Sequence, residues 1–223
     1  MPVQNIRFMM PASDGAPIVG NVRTNDNSLP KPIVLIVHGF KGFKDWGFFP
    51  YTAEYFARHG AIAVQFNFSL NGVREGSDVF DDLDNFARNT ISREREEAGM
   101  LVQAMYDGSF AAQTGALDHW NGELFLLGHS RGGGIALLTA RDYADKVSRT
   151  AVWNAVSTFD RFTPRQKKEW RERGVLESIN TRTKQKMAMN VLYLDDVELH
   201  AETLTTARAI VNCPKPVLIV DAE

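Results

Sequence analysis

The chain is predicted to be an α/β protein built on a mostly parallel sheet with helices on both faces. Three observations predict this. Apolar, β-branched runs alternate with segments of helical character through most of the 223 residues, the order expected of a doubly covered sheet. The run Ile33-Val34-Leu35-Ile36-Val37 is apolar on both of its faces, as a strand covered from two sides must be. Finally, Leu124-Phe125-Leu126-Leu127 passes through Gly128-His129-Ser130-Arg131-Gly132 into the helix-like stretch Ile135 to Tyr143. That is a strand, a sharp turn and a helix.

Composition sets bounds on the rest. With 44% hydrophobic and 23% charged residues, the chain is expected to bury one core as a single domain spanning 1–223. A formal charge of -2 gives no reason to expect nucleic acid or an anionic membrane as partner. No basic segment followed by a long apolar run opens the sequence, and no run is long enough to span a bilayer, so a cytoplasmic location is expected. The single cysteine, Cys213, reads as a packed structural thiol.

Taken in order, short alternating stretches from Val3 to Val22 around Ser13-Asp14-Gly15 predict two antiparallel strands. A polar linker, Asn25 to Lys31, leads to the strand that ends in His38-Gly39-Phe40. An aromatic loop containing Phe43, Trp46, Phe48 and Phe49 precedes a helix from Pro50 to His59, stopped by Gly60. A strand over Ala61 to Phe68 follows. Asp78, Asp81, Asp82 and Asp84 are expected in the first turns of a short helix. A longer helix is predicted from about Thr90 to Tyr106, with Ala98, Leu101, Val102 and Met105 on its inner stripe and Arg93 to Glu97 as a solvated charged stretch. After the turn at Ser130 and its helix, Thr150 to Val156 reads as a strand. Thr163-Pro164-Arg165-Gln166 fits a capping box, and Gly174 would end that helix. Nine Lys/Arg against four Asp/Glu from Asp160 to Asn190 mark an inserted basic segment with a solvated face. A helix-like Glu202 to Val211 and a strand at Pro216 to Val220 complete the order.

The turn carries chemistry. In G-x-S-x-G the serine is lifted off the sheet, and glycines at Gly128 and Gly132 avoid collision between strand and helix. Acyl transfer at Ser130 needs a base, an acid to orient it, and donors for the oxyanion. The backbone N-H of Arg131 is one donor; the N-H of Phe40, after His38-Gly39, is assigned as the other. His38 and His129 are read as bracing the loops locally. Asp160 reads as a salt-bridge carboxylate, His200 as a surface histidine, His59 as a helix-end residue, and the Arg131 side chain as one half of a buried ion pair. Whether Phe40, Phe43, Trp46, Phe48 and Phe49 line an acyl pocket or pack the loop is left open.

The motifs HGFKGFKDWGFFP, FNFSLNGV, GHSRGGG and STFDRFTPRQKKEWRERG together resemble the bacterial α/β-hydrolases of the serine-aminopeptidase-like and dienelactone-hydrolase-like group. The resemblance implies an α/β-hydrolase fold with a small helical cap at about 157–200, Ser130 as nucleophile, Phe40 as an oxyanion residue, and an ester, thioester, lactone or small peptide as substrate. It implies no cofactor and no metal. In such enzymes an acid and then a histidine follow the strand corresponding to Pro216 to Val220. Here Asp221-Ala222-Glu223 matches neither, so both are expected beyond Glu223 and the sequence is expected to be C-terminally truncated relative to the family. The expected function is hydrolysis of a carboxylic ester or related small acyl substrate through an acyl-enzyme on Ser130, supported by Gly39, Gly128, His129 and Gly132. The rival is a catalytically incomplete hydrolase-fold protein acting as a binding or scaffold module, or dimerising through an open sheet edge.

Overall fold

The structure is a computed structural model and describes residues 2–25 and 27–222. Met1, Asp26 of the expected linker, and Glu223 lie outside them. The strands of the main sheet are β1 (Val3–Pro11), β2 (Pro17–Asn25), β3 (Lys31–Val37), β4 (Ile62–Asn67), β5 (Trp120–His129) and β6 (Val147–Trp153). Two shorter strands, β7 (Val175–Ile179) and β8 (Lys186–Asn190), form a hairpin of their own, and β9 (Val217–Val220) returns to the main sheet. The seven-stranded order is β1-β2-β4-β3-β5-β6-β9. β1, β2 and β4 pair antiparallel, and every pairing from β4 to β9 is parallel.

The central strands are buried on both faces, as their composition requires. Ile33, Leu35 and Val37 of β3 enter the larger core together with Leu101 and Ile135, whereas Val34 and Ile36 enter a second core with Phe49 and Ala53. α3 (Ile91–Asp107), which the short α4 (Ser109–Thr114) follows, and α5 (Arg131–Asp142) cover the first face, and α1 (Phe49–Arg58) covers part of the second. The register sets Val37 beside Gly128 and Gly128 beside Val152. The carboxyl ends of β3, β5 and β6 therefore converge, and this is where an open parallel sheet binds ligands.

Several boundaries differ from expectation. The acidic cluster does not fill a first turn: α2 spans Leu83–Arg88, Asp82 caps it, and Asp78 and Asp81 precede it. α8 is only Thr206–Val211. The stretch Arg93 to Glu97 is not simply solvated, because Glu94 and Glu97 are each 1% exposed. Both lie on the stripe of Leu101, and each is neutralised by an arginine.

The segment 157–200 holds α6 (Pro164–Arg173), the β7-β8 hairpin and α7 (Val191–Leu199), so a hairpin sits between the helices of the expected cap. Thr163 forms the expected capping box and Gly174 closes α6 in the left-handed conformation. The outer face of α6 is solvated and laced with ion pairs, Arg165 to Glu169 and Arg171 to Asp195 among them. Its inner face is anchored by Trp170, fully buried, whose Nε1-H donates to the Met189 carbonyl at 2.9 Å. Among the described residues, no helix is long and apolar enough to cross a membrane.

Candidate active site

Ser130 sits between β5 and α5 with φ +54° and ψ -121°, a backbone conformation that L-residues adopt only when the surroundings enforce it. The enforcement is steric. A Cβ at Gly128 would lie 2.4 Å from the Gly132 carbonyl oxygen, and one at Gly132 would lie 2.3 Å from the His38 carbonyl oxygen. Glycine is therefore required on both sides of the serine. The turn is pinned by Ser130 N-H donating to Trp153 O at 2.9 Å and by Val156 N-H donating to Ser130 O at 3.1 Å.

The loop after β3 lies directly against this turn. A Cβ at Gly39 would stand 3.1 Å from Ser130 Cβ and 2.9 Å from the His129 carbonyl. The Gly39 carbonyl accepts from Gly42 N-H and from His38 Nδ1-H, both at 3.0 Å. Neither the Phe40 nor the Arg131 backbone N-H donates to a protein acceptor among the described residues. Phe40 and Arg131, on two separate elements, both line the same cleft as Ser130.

His38 lies buried beside the turn. It is 4% exposed and packs edge-on to Phe68. Burial lowers its imidazole to about 4, with the Arg131 charge acting in the same direction. His129 packs edge-on against Phe48 and Phe49, and burial lowers its pKa as well.

The Arg131 side chain is one half of a buried ion pair with Glu94, which also accepts from Asn89 Nδ2 at 2.7 Å. Burial pushes the Glu94 carboxyl up, and the Arg131 charge pulls against it. The guanidinium lies 4.5 Å over the Phe40 ring.

A cleft of about 230 Å³ opens between the turn and the cap, with Ser130, Arg131 and Phe40 on its floor. Of the five loop aromatics only Phe40 lines it. Phe43 and Phe49 are 2% exposed in the two cores, Trp46 packs against both, and Phe48 covers His129 and Trp153. The cleft's other aromatic rings come from the cap, from Phe159, Phe162 and Tyr193. No local sequence signal points to them, because their role depends on how the cap folds back over β5.

Among the described residues the Ser130 hydroxyl has no hydrogen bond to a histidine or carboxylate. Asp160 is paired with Lys167. His200 is exposed at the end of α7 and 3.9 Å from Asp196. His59 Nδ1-H donates to Tyr55 O at 2.7 Å within its own helix end.

No protein-family model matches the sequence, and the search of curated proteins finds no match. Solved structures do match. The α/β hydrolase GrgF of Penicillium sp. sh18 is 13% identical, over 100% of this chain and 91% of that one, with a TM-score of 0.68. Est1E of Butyrivibrio proteoclasticus with ferulic acid bound is 17% identical, over 95% and 77% of the two chains, with a TM-score of 0.67. An esterase of Pyrococcus furiosus is 13% identical, over 97% and 69%, with a TM-score of 0.57. The chain has the α/β-hydrolase fold.

Proposed function

We propose that the protein is a serine hydrolase that cleaves a carboxylic ester or related acyl substrate through an acyl-enzyme on Ser130. The observation that carries this is the strained Ser130 backbone, held beside two unengaged N-H groups at the convergent ends of β3 and β5. Ser130 Oγ adds to the substrate carbonyl carbon. The carbonyl oxygen becomes an oxyanion that accepts from Phe40 N-H and Arg131 N-H, and loss of either donor would cost roughly 3 to 4 kcal/mol in the transition state. The serine proton passes through a base to the leaving group, and water then releases the acid by the reverse sequence.

The acyl group is proposed to be bulky and aromatic. Phe40, Phe159, Phe162 and Tyr193 enclose the cleft above Ser130, and the similarly folded Est1E is known with ferulic acid bound. A panel of esters from acetate to hydroxycinnamate tests this: kcat/KM should rise with acyl size, and a flat or acetate-only profile counts against it.

One observation favours a second reading, a binding module without catalysis: no described histidine or carboxylate bonds to Ser130. A fluorophosphonate probe separates the two. Stoichiometric labelling that disappears in Ser130→Ala supports the hydrolase, and absence of labelling in the full-length protein supports the binding module.

A further inference from the structure

The two residues that would present N-H groups to the oxyanion also touch each other through their side chains. Arg131 lies with its guanidinium carbon 4.5 Å from the centroid of the Phe40 ring. The Phe40 ring also stacks on Phe86 of α2, 5.5 Å between centroids and 28° between planes. Arg131 is held by Glu94, which projects from the first turn of α3 and is 1% exposed. Thr90 caps that helix by accepting from Arg93 N-H at 3.3 Å, and Asn89 Nδ2 donates to the same Glu94 oxygen as Arg131 does. The series Glu94, Arg131, Phe40, Phe86 therefore runs from one fixed helix to another, and the β3 loop is gripped inside it.

We infer that Glu94 is a positioning residue for the oxyanion hole: by fixing the Arg131 guanidinium over Phe40, it sets where the Phe40 N-H stands relative to the Arg131 N-H. This rests on the acyl-transfer function proposed above. Three physical points support it. The bonds that hold this loop, such as those to the Gly39 carbonyl, leave the Phe40 N-H itself without a described acceptor, so they do not by themselves fix its direction. A planar guanidinium restrains both distance and orientation over a ring, which a lysine in its place would not do. Finally, the Glu94 carboxylate does not itself line the cleft, whereas its ion-pair partner Arg131 does. Its effect should therefore fall on the step in which the oxyanion forms and leave substrate capture alone.

Three variants test the inference in the full-length protein, with p-nitrophenyl butyrate as probe. Glu94→Gln keeps an acceptor and removes the charge. Arg131→Lys keeps the charge and removes the plane. The double variant Glu94→Leu with Arg131→Met replaces the pair by apolar groups of similar volume, a change that buried ion pairs often tolerate without loss of fold. Glu94→Gln is expected to lower kcat about tenfold with KM within twofold, and the two variants that alter Arg131, which itself lines the cleft, to lower kcat at least as far, since small misplacements of reacting groups carry penalties of this order or larger. In parallel, selective 15N labelling of phenylalanine should show the Phe40 amide resonance displaced in all three, although residue 94 lies far from it in sequence. A folded Glu94→Gln and a folded double variant that both keep kcat within twofold overturn the inference, as does a Phe40 amide that does not move. If the wild type turns over no ester, the acyl-transfer function fails on its own account. The Phe40 resonance then still decides whether Glu94 positions the loop.

Discussion

At the scale of single residues, the turn is governed by distances that leave no room for substitution. Gly132→Ala would bring a Cβ to 2.3 Å from the backbone oxygens of both Val37 and His38. It is expected to cost about 1 to 3 kcal/mol of stability by overpacking, read as a lowered denaturation midpoint, and to abolish labelling of Ser130. His38 makes a prediction of opposite character. Its folded value of about 4 lies below the ordinary 6.5 because burial favours the neutral ring. As pH falls from 6.5, the unfolded chain takes up a proton that the native protein refuses until about pH 4. Stability therefore declines across that window, by up to about 3 kcal/mol for this one residue. Glu94 and Glu97, whose carboxyls burial raises, act in the other sense. The difference between wild type and His38→Gln in urea titrations at pH 7 and pH 4.5 isolates the histidine; equal differences at the two pH values would refute the assignment.

At the scale of elements, α3 shows why a charged stretch is ambiguous in sequence. Residues 94, 97, 98, 101 and 105 share one stripe, and that spacing was the available signal that Glu94 and Glu97 face inward. What neutralises them comes from outside the local stretch or from one turn away: Arg131 on α5 for Glu94, and for Glu97 Arg93 together with the Ser69 backbone N-H at 2.8 Å. α6 shows the opposite case, since its capping box and terminal glycine are local devices and were legible in full. Thr163→Ala should cost about 1 kcal/mol. Trp170→Ala should loosen the whole cap, because Trp170 packs on Phe162 and Tyr193 as well as bonding Met189. A large aromatic truncation of this kind costs about 3 to 5 kcal/mol when felt globally. Hydrogen exchange should rise over residues 164–199 before the β3 and β5 amides are affected; uniform protection across the cap would count against this.

At the scale of the whole molecule, the two faces of the sheet are unequally covered. α3 and α5 bury one face, while on the other α1 lies over Val34 and Ile36. Beyond α1, an apolar groove of about 340 Å³ is lined by Phe56, Phe125, Ala151 and Leu218 among others. Along β9, Leu218 is 60% exposed and Ile219 50%. Such a surface predicts binding of an apolar dye such as ANS by the native protein, reduced in Leu218→Lys with no change in Ser130 labelling. Unaltered dye fluorescence in that variant would show that the groove is not the binding surface.

The sequence by itself determined the strands and main helices of the central sheet, the turn at Ser130 and its glycines, and the capped helix of the insertion, but not the short helix over 109–114, the β7-β8 hairpin or α7. The features it determined rest on interactions between residues close in the chain, so sterics and capping express them locally. Tertiary structure alone decided that Glu94 and Glu97 are buried, that three of the five loop aromatics serve the cores while Phe48 covers His129 and Trp153, and that Phe159, Phe162 and Tyr193 enclose the cleft. In each of these cases the partner lies on another element. Whether a ring or a carboxylate faces core, cleft or solvent depends on which surface packs against it, and that is set by the register of the sheet and the docking of the cap.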